Sequence, residues 1–292
     1  MSKRSEARSS ARGAAKAAGG AHLTKQARLG TLSRLFRHLQ GHGFQVSGVD
    51  GVREKHIAHY FQARRSEGVA VRTLQNEAAH IRSALRAVGR HQAAKSHTIS
   101  NKALGINGSS RAGTKTAATI EQYEATVAKA SELDAGLAAA LKLERTLGLR
   151  GAEAVRCGPS LATWERQLSA GEGVSVIFGT KGGRDRVSNP AERAQALAAV
   201  REARAVSDSR GGRLMDSPTL LAAITSYRNA MHRHVSPASG VCGHALRYAY
   251  AGDRMASYLA EGFSDAEARA KTSIDLGHGD GRGTYVARVY LR

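Results

Sequence analysis

Acidic side chains are nearly missing from the first part of this chain. Residues 1–115 hold 5 Asp and Glu against 21 Lys and Arg, while residues 116–292 hold 19 against 23. The formal net charge of +20 is therefore concentrated at the N-terminal end. So lopsided a surface repels itself unless a polyanion neutralises it, which points to nucleic acid ahead of an anionic membrane. Cysteine is also scarce. Cys157 and Cys242 cannot build a disulfide framework, and no metal-ligand spacing surrounds them, so reduced thiols in a cytosol are expected. Aromatic residues make up only 5%, leaving Ala, Leu and Val to fill the cores. No apolar run approaches membrane-spanning length. The first twenty residues lack the apolar centre of a signal peptide. Their Arg, Ser and Ala content allows a transit peptide, but a disordered basic arm over 1–20 is the expectation. There is no cluster of carboxylates of the kind that holds Mg²⁺ in a metal-dependent nuclease. His232 and His234 in "MHRHV" have no carboxylate or cysteine nearby in sequence, so no metal is expected there. No internal repeat is visible.

What is present is helical periodicity in two blocks. Leu29, Leu32, Leu35, Phe36 and Leu39 make one apolar face, Ile57, Tyr60 and Phe61 a second, and Leu74, Ala78, Ile81, Leu85 and Val88 a third. With Arg72, Arg82 and Arg86 on other faces of that last helix, residues 21–100 are expected to form a small basic bundle that contacts DNA through these arginines. Residues 101–115 show no periodicity and much Gly, Ser and Lys, the composition of a linker.

A second domain is expected over 116–292. Thr119 and Gln122 have capping-box spacing, as do Ser264 and Glu267. An apolar helix runs through Leu137, Leu141 and Leu147. Val174, Val176 and Phe178 alternate before Gly182-Gly183, which predicts a β-hairpin with Lys181 near its tip. Asn189-Pro190 reads as an N-cap and first-turn proline for a helix over 191–205. Leu221, Ile224 and Met231 mark another helix, His244 to about Glu261 a further one, and the last is expected to end at Gly277. The class is mostly α with a small antiparallel sheet. Arg150, Lys181, His244, Arg247 and His278 recur at element ends and are donors suited to a phosphate, and guanidinium charge cannot be titrated away. A positive site of this kind still needs a nucleophile, and tyrosine can attack phosphorus to form a covalent intermediate.

The motifs "TLGLRGAEAVR", "GTKGGRDRV", "GHALRYAYAG", "DLGHGD" and "RVYLR", in this order, resemble those of the tyrosine recombinases, the phage integrases and Xer-type recombinases. The resemblance covers most of 116–292, and residues 21–100 look more weakly like that family's core-binding domain. It implies that Arg150 and Arg247 clamp the scissile phosphate, with Glu153 supporting Arg150. It implies that Lys181 is the general acid on the leaving 5′ oxygen, that His244 positions the phosphate or moves a proton, and that His278 donates to the phosphate. Tyr290 matches the nucleophile, with Tyr285 as the alternative. Tyr285 lies seven residues after His278 and Tyr290 twelve, on either side of the family's spacing, and the "GDGRG" loop absorbs the extra length for Tyr290. Two departures stand out. Tyr248 follows Arg247 where many relatives have histidine, and only two residues follow Tyr290, where many relatives have a tail that docks on a neighbour. The resemblance implies a site-specific DNA recombinase acting through a 3′-phosphotyrosyl bond without metal, ATP or other cofactor. It also implies double-stranded DNA as partner, a tetramer on two sites, an accessory DNA-bending or directionality protein, and a cytoplasmic, nucleoid-associated location. A type IB topoisomerase and an inactive recombinase-like DNA-binding protein are the rival readings.

Overall fold

A computed structural model describes residues 3–110, 113 and 115–291, leaving aside the side chain of Lys181. The chain divides into two compact units, 1–110 and 111–292. Among the described residues no helix is long and apolar enough to cross a membrane.

Among the described residues, the first unit holds α1 (Lys3–Ala17), α2 (His22–Gly41), α3 (Glu54–Ser66), α4 (Val71–Ala87), the short α5 (His91–Lys95) and a 3₁₀ turn at His97–Ile99. The apolar faces read from the sequence meet in its core, where Leu35, Leu39, Phe61 and Leu85 have no exposed surface. Glu77 of α4 lies inside this core. It accepts from Tyr60 Oη at 2.9 Å and pairs with Arg34 at 3.0 Å and Arg64 at 3.2 Å, which supplies the partners that a buried carboxylate requires.

Two expectations are corrected here. Residues 3–17 are a helix, not a disordered arm. Ala7, Ala11, Ala14 and Ala15 form a buried small-residue stripe, and the Arg28 guanidinium donates to the carbonyls of Ala15 and Gly19, each at 2.9 Å, satisfying the helix C-terminus. Alanine adds so little hydrophobicity that this stripe is masked by the surrounding Arg and Ser. The linker expected from 101 also begins too early. Leu104 and Ile106 are buried in the first core, and Arg82 holds the approach to them by donating to the Ile99 carbonyl and to Asn101 Oδ1.

The second unit is built around α7 (Ala135–Leu147). Its N-terminus is capped by Asp134, whose carboxylate accepts from Leu137 N at 2.8 Å. Before it lies α6 (Ile120–Leu133), opened by the expected Thr119–Gln122 capping box. After it come α8 (Gly151–Val155) and α9 (Leu161–Ser169), then β1 (Val174–Val176) and β2 (Arg186–Ser188). The strands pair antiparallel with Val174 opposite Ser188 and Val176 opposite Arg186. The ladder stops at Val176, so Phe178 lies outside it and is exposed. Since side chains alternate along a strand, the register turns Arg186 inward with Val174 and Val176.

The helix expected at 191–205 is α10 (Arg193–Ser209). Asn189 does not cap it: its side-chain amide donates to Asp275 Oδ1 at 2.8 Å instead, and its carbonyl accepts from Tyr250 Oη. The chain continues through α11 (Leu220–Ala230), a π-helical turn at Met231–Val235, α12 (Ser236–Ser239), α13 (Gly243–Ala260), α14 (Asp265–Asp275) and α15 (Gly283–Val289). The main core holds Leu141, Leu143, Leu147, Trp164 and Val200. A separate cluster of Tyr248, Tyr250, Leu276, Val286, Val289 and Tyr290 joins α13, α14 and α15.

If α1 is docked as described, Ala11→Asp places a charge in a closed helix contact and lowers stability by about 3 kcal/mol in urea unfolding. A disordered arm predicts no change.

Candidate active site

The site is assembled where two helices end. α7 ends at Gly148, whose φ of +57° is a left-handed conformation. A side chain there would run into the Tyr250 ring. α14 ends in a Schellman turn: Gly277, at φ +68°, donates to the Ile274 carbonyl at 2.7 Å, and His278 N donates to the Ser273 carbonyl at 2.9 Å. Both ends leave carbonyls carrying the negative end of a helix dipole. The Gly148 carbonyl accepts from Arg247 Nη1 and, at 3.2 Å, from Arg186 Nη2. The Leu276 carbonyl accepts from Arg247 Nη2 and, at 3.4 Å, from Arg150 Nη2.

Glu153 links the same groups. Arg150 precedes α8, and its backbone N donates to Glu153 Oε2 at 2.8 Å. Its guanidinium pairs with Oε1 at 2.6 Å, while Arg186 pairs with Oε2 at 2.7 Å. The Glu153 side chain is wholly buried. Burial alone would raise its pKa, but Arg186, Arg150 and Arg247 together hold it below the usual carboxylate range. Two guanidinium groups thus pair with one carboxylate and the charge of a third, Arg247, acts on it, an excess of two positive charges. Nearby Glu144 does not offset it. Burial pushes that carboxyl up to about 8, despite the hydrogen bond it accepts from Tyr227 Oη, so it is largely protonated at neutral pH. Arg247 has no exposed surface, and burial followed by Arg186 and Arg150 lowers its pKa to about 10, still charged at neutral pH. Arg247 Nε, Arg186 Nε and Arg186 Nη1 are buried with no hydrogen-bond partner among the described residues. Buried cationic donors left unmatched in this way suit an oxyanion.

His278 follows from the Schellman turn and is half-buried. Its Nε2 lies 3.1 Å from Tyr290 Oη. Burial, then the charges of Arg247, Arg150 and Arg282, lower its pKa to about 3, so the ring is neutral at pH 7. His244, one turn before Arg247 on α13, keeps exposed surface at the rim of this cluster, and its ring centroid is 6.0 Å from that of Tyr290. Crowding by protein atoms and the charges of Arg247, Arg150 and Lys115 lower it to about 4. Tyr290, at the end of α15, is 4% exposed, and its ring centroid lies 4.6 Å from that of Tyr248 with the planes tilted by 43°. Tyr285 is 37% exposed, with its ring 5.0 Å from His278.

Of the residues expected from the sequence, Arg150, Glu153, His244, Arg247, His278 and Tyr290 are therefore brought together, with Tyr285 at the margin. The backbone of Lys181 lies in a 3₁₀ turn (Lys181–Gly183) beyond β1, and its side chain is outside the described residues. Sequence reasoning missed Arg186. The available signal was the alternation of the hairpin, which sets Arg186 on the same face as Val174 and Val176. In the first unit, Arg72 and Arg86 are exposed, whereas Arg82 is half-buried and donates to the Ile99 carbonyl and Asn101 Oδ1.

Residues 105–253 match the family model described as Integrase, and residues 6–94 match Phage integrase, N-terminal. The chain belongs to the tyrosine recombinase, or phage integrase, family. No protein with a curated description matches it. Among solved structures, a lambda integrase tetramer bound to a Holliday junction is similar at 16% identity and TM-score 0.57, over 91% of this chain and 72% of that one. The Tn1549 transposon integrase in complex with transposon right end DNA is similar at 14% identity and TM-score 0.55, over 99% and 95%. These two share the fold.

Two measurements follow. Glu153→Gln leaves buried guanidinium groups uncompensated and lowers stability by about 3 kcal/mol; a loss under about 1 kcal/mol contradicts the pairing. For Glu144, the unfolded carboxyl titrates near 4.5 and the folded one near 8. Its contribution to stability is full below the lower value and is lost as pH rises through the upper one. Glu144→Gln therefore gains on the parent chain between pH 5 and pH 8, read from paired unfolding curves. A pH-independent difference contradicts the shift.

Proposed function

We propose that this protein is a site-specific DNA recombinase that cuts and rejoins double-stranded DNA through a 3′-phosphotyrosyl intermediate. The observation that carries this reading is the 3.1 Å approach of the Tyr290 phenol to His278, beside Arg150 and Arg186 paired with Glu153 and Arg247 held on two helix-end carbonyls. The scissile phosphate enters on the side of Arg150, whose side chain keeps 22% of its surface. Arg247 joins it by exchanging the Leu276 carbonyl for a nonbridging oxygen.

In the proposed step the Tyr290 oxygen attacks phosphorus, a phosphorus–oxygen bond to tyrosine forms, and the bond to the 5′ oxygen breaks. The phenolic proton passes toward His278, whose affinity for it rises once the anionic phosphate offsets the surrounding arginines. Lys181 supplies the proton that the leaving 5′ oxygen takes. The excess positive charge of the cluster suits the added negative charge of the five-coordinate phosphorus, and removing one such stabilising group costs about two to three decades in rate. The phosphotyrosyl bond conserves the energy of the phosphodiester, so no ATP is called for. A 5′ hydroxyl from a partner strand reverses the step. Strand exchange needs a tetramer on two sites, and the lambda integrase of similar fold is a tetramer on a Holliday junction. In the first unit, exposed Arg72 and Arg86 supply phosphate contacts that position the protein.

The test is a nicked suicide substrate built from DNA of the native locus, scored for a denaturation-resistant protein–DNA adduct. The parent chain and Tyr285→Phe form it; Tyr290→Phe does not. Arg150→Ala and Arg247→Ala slow it by about a hundredfold or more. An adduct that survives Tyr290→Phe and is lost in Tyr285→Phe reverses the nucleophile, and no adduct from any of the proteins overturns the reading.

A further inference from the structure

The first unit carries a cluster of imidazoles that the proposed DNA chemistry does not use. His38 lies in the last turn of α2, His42 is the residue that caps its C-terminus, and His59 lies on α3. Their ring centroids form a triangle of 4.2, 5.0 and 4.9 Å. One ring nitrogen from each lies within 4.8 Å of the others, and His38 Nε2 is 2.8 Å from His59 Nδ1. A tetrahedral ion with metal–nitrogen distances of 2.0–2.1 Å holds its nitrogens about 3.3 Å apart, a value between these two separations. Small ring rotations therefore suffice to close the three nitrogens on one ion.

The tautomer of His42 is fixed in the required sense. Its Nδ1 lies 2.8 Å from the carbonyl of His38, and since a carbonyl only accepts, Nδ1 carries the proton and the lone pair is on Nε2. Histidines that bind metals typically donate their second nitrogen to a carbonyl or carboxylate in this manner. Around the cluster, Phe44 packs on His59 at 5.2 Å and Tyr60 on His38 at 5.5 Å, an aromatic wall that limits competing water. His42 is exposed while His38 and His59 are half-buried, so an ion has a path in.

We propose that His38, His42 and His59 bind one divalent transition-metal ion of the zinc type, joining α2 to α3. Imidazole ligands suit zinc, copper and nickel and disfavour magnesium and calcium. Three protein ligands leave the fourth position to water. The site is independent of the recombinase reading, because none of its groups belongs to the second unit.

The experiment uses the full chain after chelator treatment, titrated with zinc in a calorimeter and with Co²⁺ as an optical probe. The expected result is one saturable ion per chain, with the visible bands of a four-coordinate Co²⁺ site. His42→Ala and His59→Ala each weaken it by more than about tenfold, while His232→Ala/His234→Ala leaves it intact. Circular dichroism of exposed His42→Ala confirms that the variant is folded. Zinc also slows amide exchange in α2 and α3 of the parent chain, and does not in His42→Ala. Absence of one-to-one binding, or binding unchanged in both His42→Ala and His59→Ala, overturns the proposal and leaves the cluster an imidazole hydrogen-bonding stack.

Discussion

The second unit depends on holding three guanidinium groups together, two of them buried and the third, Arg150, partly exposed. Their like charges repel, and burial followed by the charges of Arg186 and Arg150 lowers the pKa of Arg247. The chain offsets this with one buried carboxylate and the carbonyl ends of two helices. Glu153 takes Arg150 and Arg186 on its two oxygens, and the carbonyls of Gly148 and Leu276 take the Nη groups of Arg247. The compensation stops short of completion, as the unmatched nitrogens of Arg186 and Arg247 show. Such a centre is prepared for an anion before the anion arrives, which is what electrostatic preorganisation requires.

The glycines at the two helix ends belong to the same device. Gly148 must be left-handed to turn its carbonyl toward the arginines, and Gly277 must be left-handed to close the Schellman turn that sets His278 beside Tyr290. Short motifs distant in sequence, "GLR" and "LGH", are therefore two copies of one physical solution, a helix end that presents a carbonyl to a cation. The hairpin supplies the third component by turning Arg186 inward.

Much of this was legible in the sequence, because it rests on local rules. The capping boxes at Thr119 and Ser264, the hairpin glycines, the long helix of His244 and Arg247 and the turn carrying Arg150 follow from spacing alone. The convergence of Arg150, Arg247 and His278 came from motif order. What escaped depends on tertiary context. The alanine stripe of α1 has meaning only against α2 and α4, and Asn189 abandons its capping role because Asp275 lies within reach. Arg186 reads as one more surface arginine until the strand register turns it inward. His38, His42 and His59 escaped because the third imidazole comes from a different helix, brought near only by the packing of the bundle.

The most direct test of the account is a crystal structure of the protein trapped on its DNA with vanadate in place of the scissile phosphate. The account predicts vanadium bonded to the Tyr290 oxygen, with Arg150, Arg247 and His278 donating to its equatorial oxygens and Arg247 released from the Leu276 carbonyl. Vanadate bound elsewhere, with Arg247 still on the two helix-end carbonyls and Tyr290 still on His278, would contradict it.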